Sequence, residues 1–151
     1  MSSAATGNLP PSIARLADVS LQLLKEPKLP VRDRQLVILR VGWLRQIPYI
    51  WGEHVTVSKK LGLSAEDIEQ VIVGSTSPHW NQHERALLQA TEELVDSAMI
   101  SDAVWELLAQ RYDHAQLFEL PVLVGQFSTV GYFQNALRIP LNPANKGLHS
   151  R

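Results

Sequence analysis

Apolar residues recur every three or four positions through most of the chain, and that period belongs to helices rather than strands. Ile13, Leu16, Ala17, Leu23 and Leu24 share one side of a first helix, which Ser12 is placed to cap and Pro27 and Pro30 end. A second helix opens near Pro30 or Val31 and runs through Arg45. A third carries Pro48 in its first turn and Gly62 just past its end. Ser64 with Asp67, Asn81 with Glu84 and Asp113 with Gln116 have the spacing of reciprocal capping pairs, and each opens a further helix. Gly74 stops the helix that Ser64 opens, and Ser101 is placed to cap another. The last helix, Leu117 to Leu137, holds Pro121 at a candidate kink and is apolar on several faces. Such a helix should be buried on all sides, and in so small a domain a partner subunit would supply one of them. No Asn-Gly or similar hairpin signal separates alternating runs. The expectation is an all-α domain of about seven helices over residues 10–141 that forms a homo-oligomer. Residues 1–9 are expected to lack fixed structure, and residues 142–151 to form a loose polar tail.

Composition narrows the function by exclusion. The chain has 151 residues, enough for one domain, and its 14 basic and 15 acidic side chains nearly cancel. That balance speaks against a nucleic-acid partner, which would call for a basic face. No apolar run reaches the roughly 18–20 residues that span a bilayer, and the N-terminus lacks the pattern of a secretory signal. No membrane association and a cytoplasmic location are therefore expected. With no cysteine, the chain has no disulfide, no thiolate nucleophile and no cysteine-ligated metal.

One residue breaks the helical pattern. Ile47, Ile50, Trp51, His54, Val57, Ser58 and Leu61 fall on one side of the third helix, while Gly52, Thr56, Lys59 and Lys60 face away. An imidazole on an apolar stripe is either satisfied by a neighbouring backbone carbonyl or kept for proton chemistry.

Two stretches carry a resemblance. Arg32-Asp-Arg-Gln35-Leu-Val-Ile-Leu-Arg40-Val, with Tyr49-Ile50-Trp51-Gly52-Glu53-His54-Val55 and Lys60-Leu-Gly62-Leu63-Ser64, resembles the carboxymuconolactone decarboxylase family, which includes the alkylhydroperoxidase D (AhpD) proteins. The run from Glu84 to Leu94, then Ile100 to Trp105 and Tyr112-Asp113, resembles the second half of a cysteine-free branch. The resemblance spans roughly Leu9 to Leu141 and implies an AhpD-like helical fold assembled as a trimer or hexamer. It aligns His54 with the family histidine. The two family cysteines fall on Ile47 and Ile50, and the proton-relaying glutamate on Gln35. Ile50 also stands where the cysteine-free branch commonly has glutamate. Peroxidase chemistry is thereby excluded, and a glutamate–histidine pair is missing.

The resemblance implies a cofactor-free lyase or isomerase acting on a small unsaturated acid or lactone. His54 would be the acid/base and Gln35 would orient it, since an amide can accept from one ring nitrogen or donate to the other. Glu53 is the nearest carboxylate in sequence, although it points about 100° away round the helix. Tyr49, Ile50 and Trp51 are candidates for the substrate pocket, Arg40 for a substrate carboxylate, and Tyr132 for completing the pocket across a subunit boundary, with Gln126 and Asn135 beside it in the last helix. Core packing, salt bridging and backbone satisfaction are the plainer readings of the same residues. His79, His83 and Glu84 superficially suggest a metal hydrolase, but with Asn81 as the cap His79 lies outside the helix, so no metal is expected. The rival to catalysis is an inactive oligomeric ligand-binding or scaffold protein of the same fold.

Overall fold

The computed structural model describes residues 9–151, so the expectation for the N-terminus lies outside the described residues except at Leu9. Seven α-helices follow in order: α1 (Pro11–Lys25), α2 (Val31–Leu44), α3 (Pro48–Lys60), α4 (Ala65–Val73), α5 (Gln82–Ser97), α6 (Asp102–Ala109) and α7 (His114–Ala136). A short 3₁₀ turn, Gly147–His149, lies in the C-terminal segment. The all-α expectation holds among the described residues.

The three capping pairs form as the spacing requires. At Ser64, Asn81 and Asp113 the cap side chain accepts from the third helical N–H, and Asp67, Glu84 and Gln116 reach back to the cap N–H. The serines behave differently. Ser12 lies inside α1, which starts one residue earlier on Pro11 because proline suits a first turn that needs no N–H bond. Ser101 occupies the cap position of α6, but its hydroxyl donates to Glu93 Oε1 at 2.9 Å instead of serving the helix.

The organising element is α2, which packs against α3, α4, α5 and α7. Ten of its fourteen residues, Asp33 through Gly42, are buried. This is the helix surrounded on every side. α7 was expected to be covered on all sides with a partner subunit supplying one of them; in the single chain it leaves Phe118 at 78% exposure, with Val122 and Tyr132 also exposed. Its inner face (Leu117, Leu120, Leu123, Val124, Phe127) packs on the core, and its outer face has no covering element in the single chain. The difference follows from position: α7 packs at the periphery, so a helix apolar all round still buries only one side.

Residues 142–151 are not loose. The tail folds back along α3, where Trp51 Nε1 donates to the Ser150 carbonyl at 3.0 Å. Asn145 Nδ2 donates to the Tyr49 carbonyl at 3.1 Å, and Arg151 pairs with Glu69 at 3.0 Å. A polar sequence gave the wrong expectation because the partners are polar too: buried main-chain and indole groups of α3 take up the tail amides. Gly52 makes the close approach possible, since a Cβ there would overlap the Asn145 side chain. Gly52→Ala should therefore destabilise the fold by about 1–3 kcal/mol and release the tail. Faster carboxypeptidase trimming and a red-shifted tryptophan emission would register the release; unchanged trimming would contradict it.

Candidate functional site

Four elements enclose a cavity of about 610 Å³ beside His54. The start of α2 contributes Arg34 and Gln35, α3 contributes Tyr49, Ile50, Glu53 and His54, and α7 contributes Phe127, Val130 and Gln134. The last wall is the apolar side of α1, including Ile13, Leu16 and Leu24. None of the residues of α1 is fully buried, because this side faces an open space. Gln126 fastens the helix in place, its Nε2 donating to the Leu16 carbonyl at 2.7 Å and to Ser20 Oγ at 2.8 Å.

His54 is held by its neighbours across α2 and α7. Its Nδ1 lies 3.0 Å from Gln35 Oε1, and the same oxygen accepts from Ser58 Oγ at 3.0 Å. An amide oxygen only accepts, so in this arrangement Nδ1 carries the ring proton and Nε2 the lone pair. Nε2 has no hydrogen bond among the described residues. Phe127 meets the imidazole edge-on, ring centres 5.4 Å apart. Burial, and secondarily the positive charge of Arg34, push the imidazole down to about 4. It is neutral at physiological pH, a base rather than an acid.

Arg34 was not singled out by the sequence, where it reads as part of a polar helix start. In the fold it is 6% exposed. Its Nη1 donates to the Leu24 carbonyl at 3.1 Å, while Nε has no partner. Glu119 acts on it only through space, because that carboxylate accepts from the Lys28 and Leu29 N–H groups. Burial lowers its pKa, yet a guanidinium stays charged. Gln35 Nε2 and Gln134 Oε1 are also buried and unpartnered, so three polar side chains at this cavity have unmet hydrogen-bonding capacity. The sequence signal that could have found Arg34 is that α2 is apolar on all sides. Polar residues at its start are then inside the fold.

The other expected site residues divide. Tyr49 and Ile50 line the cavity. Glu53 reaches its margin, but its Oε1 accepts from Asn142 Nδ2 at 2.8 Å and Asn145 Nδ2 at 3.2 Å, which commits it to the tail. Trp51 is fully buried against the tail and Trp43, away from the cavity. Arg40 is spent on the carbonyls of Val71 and Ile72, both at 3.1 Å, and on Glu92 at 3.6 Å. Its guanidinium lies against Gly74, whose φ of 96° and missing Cβ both require glycine. Tyr132 is exposed, with Arg45 over its ring. Trp51 and Arg40 are thus removed from the site, whereas Tyr132 lies outside the cavity of the single chain. Helical spacing told which residues share a face, but not which neighbouring helix that face meets.

His79 and His83 do not converge. His79 Nε2 lies 2.7 Å from Asp67, and His83 Nε2 lies 2.8 Å from Asp33, which also accepts from the Tyr112 hydroxyl. Each imidazole has its own aspartate, and among the described residues no group of three metal-ligating side chains forms.

The carboxymuconolactone decarboxylase family matches residues 10–93, more than half of the chain, and the chain belongs to that family. Among solved structures it is similar to a protein of unknown function from Agrobacterium tumefaciens, described as a candidate AhpD of antioxidant defence. The two share 21% identity over 93% of this chain and 97% of that one, with a TM-score of 0.81. An uncharacterised peroxidase-related protein from Silicibacter sp. matches at 14% identity over 89% and 72% of the two chains, with a TM-score of 0.76. Another, an alkylhydroperoxidase AhpD core protein from Ralstonia eutropha, matches at 15% identity over 88% and 72%, with a TM-score of 0.76. At these identities the likeness is one of fold. No curated protein matches the chain.

The neutral imidazole makes a stability prediction. His54 titrates near 4 in the folded chain and near 6.5 when unfolded. The unfolded chain therefore takes the proton first, and the stability present above 6.5 is lost as pH falls toward 4. Between pH 7 and pH 4, wild type should lose about 2–3 kcal/mol more than His54→Gln in urea unfolding. Asp67, held far below the usual carboxylate range chiefly by Arg32, also loses stability at the acid end of this window, but equally in wild type and variant, so it cancels from the difference. Equal losses would contradict the account.

Proposed function

We propose that the chain is a cofactor-free lyase or isomerase that moves a proton with His54. The observation that carries the reading is the chain of contacts Ser58 Oγ to Gln35 Oε1 to His54 Nδ1, which leaves Nε2 basic beside the cavity. A base of this kind removes a proton from a carbon activated by a carbonyl or conjugated acid. The electron pair passes to the carbonyl oxygen as an enolate. The proton held on Nε2 then returns to a different carbon, completing an isomerisation, or a leaving group departs, completing an elimination.

The low imidazole pKa favours proton removal as the first step over proton delivery, because the resting ring has no Nε2 proton to give. Decarboxylation would need that proton from solvent after carbon dioxide leaves. Gln35 and Ser58 are positioning residues. The substrate class, a small unsaturated acid or lactone, comes from the family, as does the expectation of a trimer or hexamer. The exposed apolar face of α7 supports an assembled state.

A second reading is a non-catalytic ligand-binding protein. It is favoured by the absence of any carboxylate within hydrogen-bond reach of His54 among the described residues. Deuterium exchange separates the two. Incubation of enol lactones and β,γ-unsaturated acids in D₂O should give His54-dependent label at carbon, read by NMR, and His54→Gln should lower the rate by about 10²–10⁴-fold. Gln35→Leu should lower it less and shift its pH profile. Label incorporated at equal rates by wild type and His54→Gln would refute catalysis by this residue.

A further inference from the structure

A buried cation without a counter-ion is costly, and one at the wall of an apolar cavity calls for an anion from outside the chain. Arg34 comes close to that description, since the Glu119 carboxylate acts on it only through space. It is more than nine-tenths buried, its one protein hydrogen bond goes to a main-chain carbonyl, and it forms no ion pair among the described residues. The unpartnered amide nitrogen of Gln35, next to it in sequence, is a second donor at the same cavity.

The rest of the enclosure is apolar. Ile13 and Leu16 of α1 and Phe127 and Val130 of α7 present hydrocarbon, and a space of about 610 Å³ lies in the middle of the range that takes drug-sized ligands. Among the described residues Arg34 is the only cation at this wall, and Glu53, the only carboxylate there, would repel a second acidic group. A small, highly charged diacid would leave most of the hydrocarbon uncovered and one of its charges unmatched.

We propose that the cavity receives an amphiphilic monoanion: a single carboxylate on an apolar skeleton about as long as decanoate, with its head on Arg34 and its skeleton between α1 and α7. The inference deepens the proposed reaction, since it names the substrate class of the His54 site and rests on that reading for its role in turnover. Binding itself does not depend on turnover. The contact between Arg34 Nη1 and the Leu24 carbonyl joins the anion anchor to α1, so an occupied site also fixes this wall.

The test is calorimetric titration of the full chain with hexanoate, octanoate, decanoate, decanol and cis,cis-muconate. Each added CH₂ should tighten carboxylate binding about three- to four-fold, so decanoate should exceed hexanoate on the order of 100-fold. Decanol should bind at least about ten-fold more weakly than decanoate, and Arg34→Met should abolish that gap. Muconate should not displace decanoate.

Leu16→Trp keeps the cation and fills the cavity, so it should weaken decanoate by more than about ten-fold and spare hexanoate, whether or not Arg34→Met folds. Equal affinity for decanoate and decanol in wild type, or muconate binding tighter than decanoate, would overturn the proposal. The expected binding pattern without His54-dependent label would sink the reaction and leave the ligand class standing. His54-dependent turnover of a diacid indifferent to Arg34 would do the reverse.

Discussion

The guanidinium of Arg34, buried without a carboxylate against it, governs the chemistry available at this cavity. Its charge is the second cause, after the desolvation of His54 itself, that holds the imidazole neutral. Two cations placed close together in a low-dielectric enclosure cannot both persist, and the arginine keeps its proton because its intrinsic pKa is far higher. The histidine is left as the group that can accept one. Ser58 and Gln35 then decide which nitrogen does so, by engaging Nδ1.

The scaffold explains why these groups meet. Because α2 is enclosed by four other helices, its first turns run through the interior, and Arg34 and Gln35 reach the cavity there. α3 brings His54 to the same level and is braced from behind by the returning tail, which Glu53, Trp51 and Gly52 hold. α1 closes the space with its apolar side, of which Leu23 and Leu24 also pack on the core. The far end of α2 is built otherwise: Arg40 satisfies the end of α4 and packs on Gly74, a structural use of the same residue type.

Much of this architecture was legible in the chain. Helix periods and the three reciprocal caps located the elements, because both signals are local and each has its own physical cause. The place of His54, its partner Gln35 and the pocket residues Tyr49 and Ile50 could also be read. What could not be read was which helix sits at the centre. α2 and α7 are both apolar on several faces, and only packing reveals that α2 is enclosed while α7 keeps Phe118 outside. Arg34 was not singled out, and Trp51 and Arg40 were placed at a pocket whose lining lies elsewhere. The tail was misjudged for a related reason, since polar residues can be held by buried main-chain groups as firmly as by water.

The central claim is that His54 rests as a neutral imidazole with its proton on Nδ1. Long-range ¹H–¹⁵N correlation of the ring nitrogens, followed from pH 8 down to the acid limit of the fold, reads tautomer and protonation together. The account predicts a single Nδ1–H tautomer throughout the neutral range, with protonation setting in only toward pH 4. An ordinary midpoint near 6.5, or a proton resident on Nε2, would contradict it.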